Sequence, residues 1–257
     1  MLLVFYIWFF MFGLCIGSFL NVLVFRLPKN KSIFGRSFCH HCKKKLKWYE
    51  LFPLFSFVFQ KGKCRSCKKQ ISLQYPLIEA ITGLLFVFVF HQSYFSNLLI
   101  LFLQLFIMSC LLVIFLTDLK YMIVPNVVVY SGFVASFILQ IANLKAGNLS
   151  NLFSPILSSI IAFLFFLFLV IITKGKGMGV GDVKVGAFLG MFFAWPDIAI
   201  VLFLSFLTGS IVGIFLIGLK KKNLKSEIPL ASFLVLSSFA VFFLKEELIE
   251  WHSLICN

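Results

Sequence analysis

Apolar residues run through this chain in long uninterrupted stretches, and its polar residues gather in the gaps between them. The runs cover 2–25, 76–92, 97–117, 123–142, 152–173, 181–195, 197–219 and 228–244. A hydrocarbon core about 30 Å thick takes roughly 20 helical residues to cross. Each run is therefore expected to be a transmembrane helix, although the sixth is short. The expected fold is an all-α polytopic membrane protein of about eight transmembrane helices, with both termini on one side. The first run lacks a basic leader and continues into "GSFLNVLVFRLP" with no small-residue cleavage site, so it is expected to stay as a helix and not to act as a signal peptide.

Composition supports the pattern. Of 257 residues, 61% are hydrophobic and 12% charged, more apolar surface than a soluble core of this size can hide. The formal net charge of +14 raises the question of a polyanion partner. Its distribution answers it. With the amino terminus outside, the segments 26–75, 118–122, 174–184 and 220–225 face the cytoplasm and hold 13, 1, 3 and 4 Lys or Arg, which is 21 of the 23. This asymmetry follows the positive-inside rule. The charge reports orientation in the lipid bilayer, and no nucleic-acid partner is expected.

Residues 26–75 are the one soluble-like segment. They contain "CHHC" and "CRSC", two Cys-x-x-Cys pairs with 21 residues between them. That spacing is expected of a zinc ribbon in which Cys39, Cys42, Cys64 and Cys67 give four thiolates to one ion. Four sulfurs close the coordination shell, so the zinc is expected to be structural, and His40 and His41 are left as solvated loop residues. The reducing cytoplasmic face disfavours disulfides here. Between the pairs, "WYELFPLFSFVF" is too short to cross the membrane and is expected at the interface, with Trp48 and Tyr49 at headgroup level, or packed on the spans. Cys15, Cys110 and Cys256 receive no role. The chain divides on this reading into a first helix at 1–25, a cytoplasmic zinc-ribbon-like loop at 26–75, and a transmembrane core at 76–257.

Three carboxylates stand at the cytoplasmic ends of spans: Glu79, Asp118 and Asp182. Acids inside spans are costly and lean toward function. A single one can simply end a helix, and Asp182 could be an amino-terminal cap. Two at one depth suggest more. Asp182 closes the stretch "KGKGMGVGDVK", in which Gly175, Gly177, Gly179 and Gly181 alternate. Such spacing suggests a backbone kept bare for close approach of another chain, with a flexible hinge as the alternative. Histidines are poorly placed for a serine triad, since His91 and His252 fall on the opposite face, and no His-Glu-x-x-His occurs. What remains is a carboxylate pair sharing one proton, one member activating water and the other protonating the carbonyl or leaving nitrogen.

These blocks resemble the bacterial type IV prepilin leader peptidases, membrane aspartic proteases of the Gly-x-Gly-Asp type. The blocks are "GSFLNVLVFRLP" at 17–28, "WYELFPLFS" at 48–56, "YPLIEAITGLLF" at 75–86, "DLKYMIVPN" at 118–126 and "GMGVGDVK" at 177–184. The resemblance implies that Asp118 and Asp182 are the catalytic dyad. It implies a prepilin or pseudopilin substrate, cut at the cytoplasmic face of the inner membrane between a basic leader and a hydrophobic helix. Such substrates serve type IV pili, type II secretion or competence. Family members with the cysteine loop usually also methylate the new amino terminus from S-adenosylmethionine, for which this sequence has no nucleotide-binding fingerprint. Gly179 and Gly181 flank the dyad. Lys184 is expected to steady its charge or to snorkel to headgroups. Glu79 is expected to bind the substrate amino terminus or cofactor, or to pair with a lysine.

Two positions depart from the family pattern. Val124-Pro125-Asn126 stands where Ile-Pro-Asp is usual, and "IPLASFLVL" replaces a last span that typically opens Ile-Pro-Phe-Gly-Pro-Phe. Other readings fit less well. Signal peptide peptidases share Gly-x-Gly-Asp but carry Pro-Ala-Leu near the end, where this chain has Pro229-Leu230-Ala231. A transporter or channel would place paired acids near mid-membrane and show internal repeats.

Overall fold

The computed structural model describes residues 2–39, 41–93, 97–144, 150–175, 178–219 and 229–255, without the side chains of 150–151 and 245–255. His40, Gly177 and Cys256 lie outside the described residues. The helices are α1 (Leu2–Arg26), α2 (Phe55–Phe59), α3 (Gln74–Gln92), α4 (Leu98–Tyr121), α5 (Asn126–Ala142), α6 (Ser150–Ile172), α7 (Val180–Phe193), α8 (Asp197–Gly218) and α9 (Leu230–Ile255). All but α2 fall on the eight apolar runs. Five of them, α1, α3, α4, α6 and α8, are long and apolar enough to cross a membrane unaided. No strand forms among the described residues. The cysteine loop holds two isolated antiparallel bridges, Phe38 with Lys45 and Lys63 with Gln70.

The chain divides into two compact units, 1–96 and 97–257. In the first, α3 packs antiparallel on α1, although the sequence grouped it with the later spans. Without a hydrophobic force between helices in lipid, close packing needs small residues. Gly13 and Gly17, one turn apart, supply them: a Cβ at Gly13 would lie 2.8 Å from Gly83 Cα, and one at Gly17 2.8 Å from Glu79 Cα.

In the second unit α7 packs on α5, α6 and α9, and α9 also packs on α4. The same device recurs. A Cβ at Gly190 would lie 2.7 Å from Ser159 Cα and Ser158 O on α6, and Gly186, one turn earlier, sits against the ring of Phe166. Polar bonds fix the register: Ser159 Oγ donates to Ala187 O at 2.9 Å, and Gln140 Nε2 on α5 donates to Met191 O and Phe192 O at 3.0 and 3.1 Å. In a bilayer such bonds have no water competing for them. The result is a short helix held on several sides, with Asp182 in its first turn.

Candidate active site

Asp118 lies in the last turn of α4 and Asp182 in the first turn of α7, 5% and 8% exposed. They are 64 positions apart in sequence, and the start of α9 brings them together. The backbone amide of Ala231 faces the Asp182 carboxylate, and Asp182 lies within electrostatic reach of Asp118. The next residue serves the other acid. Ser232 donates to Asp118 Oδ2 through its N–H at 2.7 Å and its hydroxyl at 2.8 Å. A helix begins with four N–H groups that have no partner within the helix. The one at Ser232 is satisfied here by Asp118, its neighbour at Ala231 faces Asp182, and the positive end of the helix dipole points at both carboxylates.

Asp182 is also a cap, as the simple reading had it. Its Oδ2 accepts the N–H of Gly179 at 3.1 Å, three residues back, which is half of a capping box; glycine has no side chain to return the bond. Capping and pairing are therefore not alternatives. The two glycines before it differ in surroundings. A Cβ at Gly181 would come within 3.0 Å of Val124, in the connection between α4 and α5, whereas one at Gly179 would meet nothing closer than 3.8 Å. The bareness at Gly181 accommodates the chain's own turn, and Gly179 faces open space.

Lys184, one turn along α7, does not bond either acid. Its Nζ donates to Asn126 Oδ1 at 2.8 Å and lies 5.8 Å from the ring centre of Tyr130. The asparagine of the Val-Pro-Asn departure thus keeps a polar contact.

Glu79 belongs to the first unit, on α3, and is 8% exposed. It pairs with no lysine among the described residues. Its Oε2 accepts the N–H of Leu54 at 2.9 Å, and Ser18 on α1 lies nearby. Leu54 has φ 56° and ψ −51°, and Phe55 N bonds Pro53 O at 2.6 Å. That is a γ-turn of the strained, positive-φ kind. Glu79 anchors it at the entry to α2. Nearby on α1, Asn21 Nδ2 donates to Gly17 O and Tyr75 O, at 3.3 and 3.2 Å.

The four cysteine sulfurs of the loop, Cys39, Cys42, Cys64 and Cys67, lie within 4.8 Å of one another, with no disulfide. Cys39 and Cys67 sulfurs are 3.9 Å apart. Tetrahedral zinc with bonds near 2.3 Å requires sulfurs roughly 3.8 Å apart, so the donor set fits such an ion. The backbone N–H groups of Cys67 and Ser66 draw the Cys64 thiol down to about 7, which favours the thiolate that binds metal. His41 stays exposed.

Sequence reasoning missed Ala231 and Ser232. "IPLASFLVL" stood out only as a departure affecting packing. Proline followed by small residues ahead of an apolar run also marks a helix start, and a helix start supplies the N–H donors found here.

Comparison with known proteins agrees with this arrangement. Residues 11–93 match the bacterial peptidase A24 N-terminal domain, and residues 105–214 the type IV leader peptidase family. A prepilin leader peptidase/N-methyltransferase of Bacillus subtilis is 31% identical over 95% of this chain and 96% of its own length. One of Myxococcus xanthus is 32% identical over 83% of this chain and 63% of its own, and one of Legionella pneumophila is 26% identical over 94% and 92%. No solved structure gives a significant match. Two consecutive family domains, in the order of the two compact units, and a relative aligned nearly end to end together establish that the chain belongs to the type IV leader peptidase family.

Proposed function

We propose that this protein is an aspartic endopeptidase that removes the basic leader from type IV prepilins or pseudopilins, with Asp118 and Asp182 as its catalytic pair. The observation that carries the reading is the convergence of the two carboxylates on the start of α9, where Ser232 bonds Asp118 and Asp182 lies within electrostatic reach of Asp118. Two such acids side by side hold one proton between them. The ionised one draws a proton from water as it attacks the scissile carbonyl, and the protonated one supplies the leaving nitrogen. Gly179, with open space beside it, leaves room for an extended substrate backbone next to Asp182. Gly181 and Lys184 support the site by letting α7 approach Val124 and by tying α7 to α5.

The positive-inside asymmetry favours a cytoplasmic site in the inner membrane. The substrate's hydrophobic helix would then lie in the bilayer and present its basic leader at that face. We assign zinc to Cys39, Cys42, Cys64 and Cys67 as a structural ion that staples the loop, which has little core of its own. The relatives' names support a second activity, methylation of the new amino terminus from S-adenosylmethionine. No residue is assigned to that donor. Glu79 is read as a supporting residue that anchors the loop at Leu54.

Mass spectrometry of a prepilin co-expressed with the protein tests the proposal. Loss of the leader mass is the expected result, and an added methyl increment reports the transferase. An unprocessed prepilin in the presence of inserted, folded enzyme overturns it.

A further inference from the structure

We infer that Ser232 is a positioning residue that holds the Asp118 carboxyl group in one orientation for the reaction, an inference that rests on the proposed carboxylate pair. Ser232 is 3% exposed and is the third residue of α9, so its N–H has no partner within the helix. That N–H and the side-chain hydroxyl fall on the same oxygen, Asp118 Oδ2, at 2.7 and 2.8 Å. The hydroxyl has one proton and one competing acceptor, Phe115 O at 3.4 Å. The shorter contact to a charged acceptor takes it. With Oδ2 engaged twice, Oδ1 is left as the oxygen that meets the shared proton or the attacking water.

Two donors on one oxygen lock rotation of the carboxyl group. Ser232 transfers no proton itself and acts only through Asp118.

The test is steady-state cleavage of a prepilin peptide by the full-length enzyme in detergent or proteoliposomes. Ser232→Ala removes the hydroxyl and keeps the N–H, and kcat is expected to fall about 10-fold or more with KM unchanged, the scale of one hydrogen bond to a charged group. Ser232→Thr keeps the hydroxyl and is expected to hold most of the wild-type kcat. A kcat for Ser232→Ala near wild type, or Ser232→Thr as slow as Ser232→Ala, overturns the inference. Asp118→Asn run alongside separates the two levels. If that variant cleaves, the pair itself is wrong; if it is silent while Ser232→Ala is normal, only the role of Ser232 falls.

Discussion

Lys184 Nζ donates to Asn126 Oδ1 at 2.8 Å, linking the second turn of α7 to the first residue of α5. The family's usual aspartate at that position would form an ion pair in the same place. Asn126→Asp is therefore expected to leave prepilin cleavage unchanged and to shift stability by less than about 1 kcal/mol, because the pair is exposed. Thermal unfolding in detergent with a parallel cleavage assay measures both. A large loss of activity would show that a negative charge there disturbs the carboxylate pair.

Asp118→Asn and Asp182→Asn should each lower cleavage on the order of 10³-fold or more, since each removes one half of the acid–base exchange. Both proteins should still insert and unfold near the wild-type temperature. A gel-shift assay of prepilin processing in membranes is sufficient, and robust cleavage by either variant would discard the catalytic assignment.

Purified protein should contain about one zinc per chain if four thiolates close one site. The double substitution Cys39→Ser and Cys42→Ser should lose it. Acid should release it too, because the ligands bind as thiolates and protons compete with the ion as pH falls from neutral into the acid range. Metal analysis after dialysis across that range follows the loss. Retention by the double variant would exclude this site.

Gly190→Ala and Gly179→Ala separate packing from conformational freedom. A methyl at Gly190 meets backbone atoms of Ser158 and Ser159 at 2.7 Å, which cannot step aside, so a loss of about 1–3 kcal/mol is expected. At Gly179 φ is −85° and the nearest contact is 3.8 Å, so stability should change by less than about 0.5 kcal/mol. Equal melting temperatures for the two variants would contradict the α6–α7 packing.

Glu79→Ala removes the acceptor that holds the Leu54 turn. Chymotrypsin should then cut more readily in the stretch Phe52–Phe59, while Leu54→Gly, which relieves the positive φ, should gain about 1 kcal/mol. Unchanged protease sensitivity in Glu79→Ala would show that the turn stands without it.

Much of this was legible in the sequence. Every α-helix except α2 falls on one of the apolar runs, because a bilayer demands apolar length and little else. The four cysteines were legible for a similar reason, since metal geometry dictates ligand spacing. Ser232 was not. Its role depends on where a helix 114 residues away begins relative to Asp118, and no local pattern encodes that distance. Gly181 was misread for a related reason: the sequence showed that something must approach closely, and only the fold shows that it is Val124.

Helix α7 has 14 residues, which gives it a length of roughly 21 Å against a hydrocarbon layer of about 30 Å. A helix that short cannot begin at one headgroup plane and end at the other. Where that shortfall falls at its first turn, the membrane surface dips toward Asp182 and a hydrolytic water can arrive. Acyl-chain length thus becomes a rate variable: thin bilayers should ease the mismatch, and thick ones should slow the enzyme without touching a single side chain.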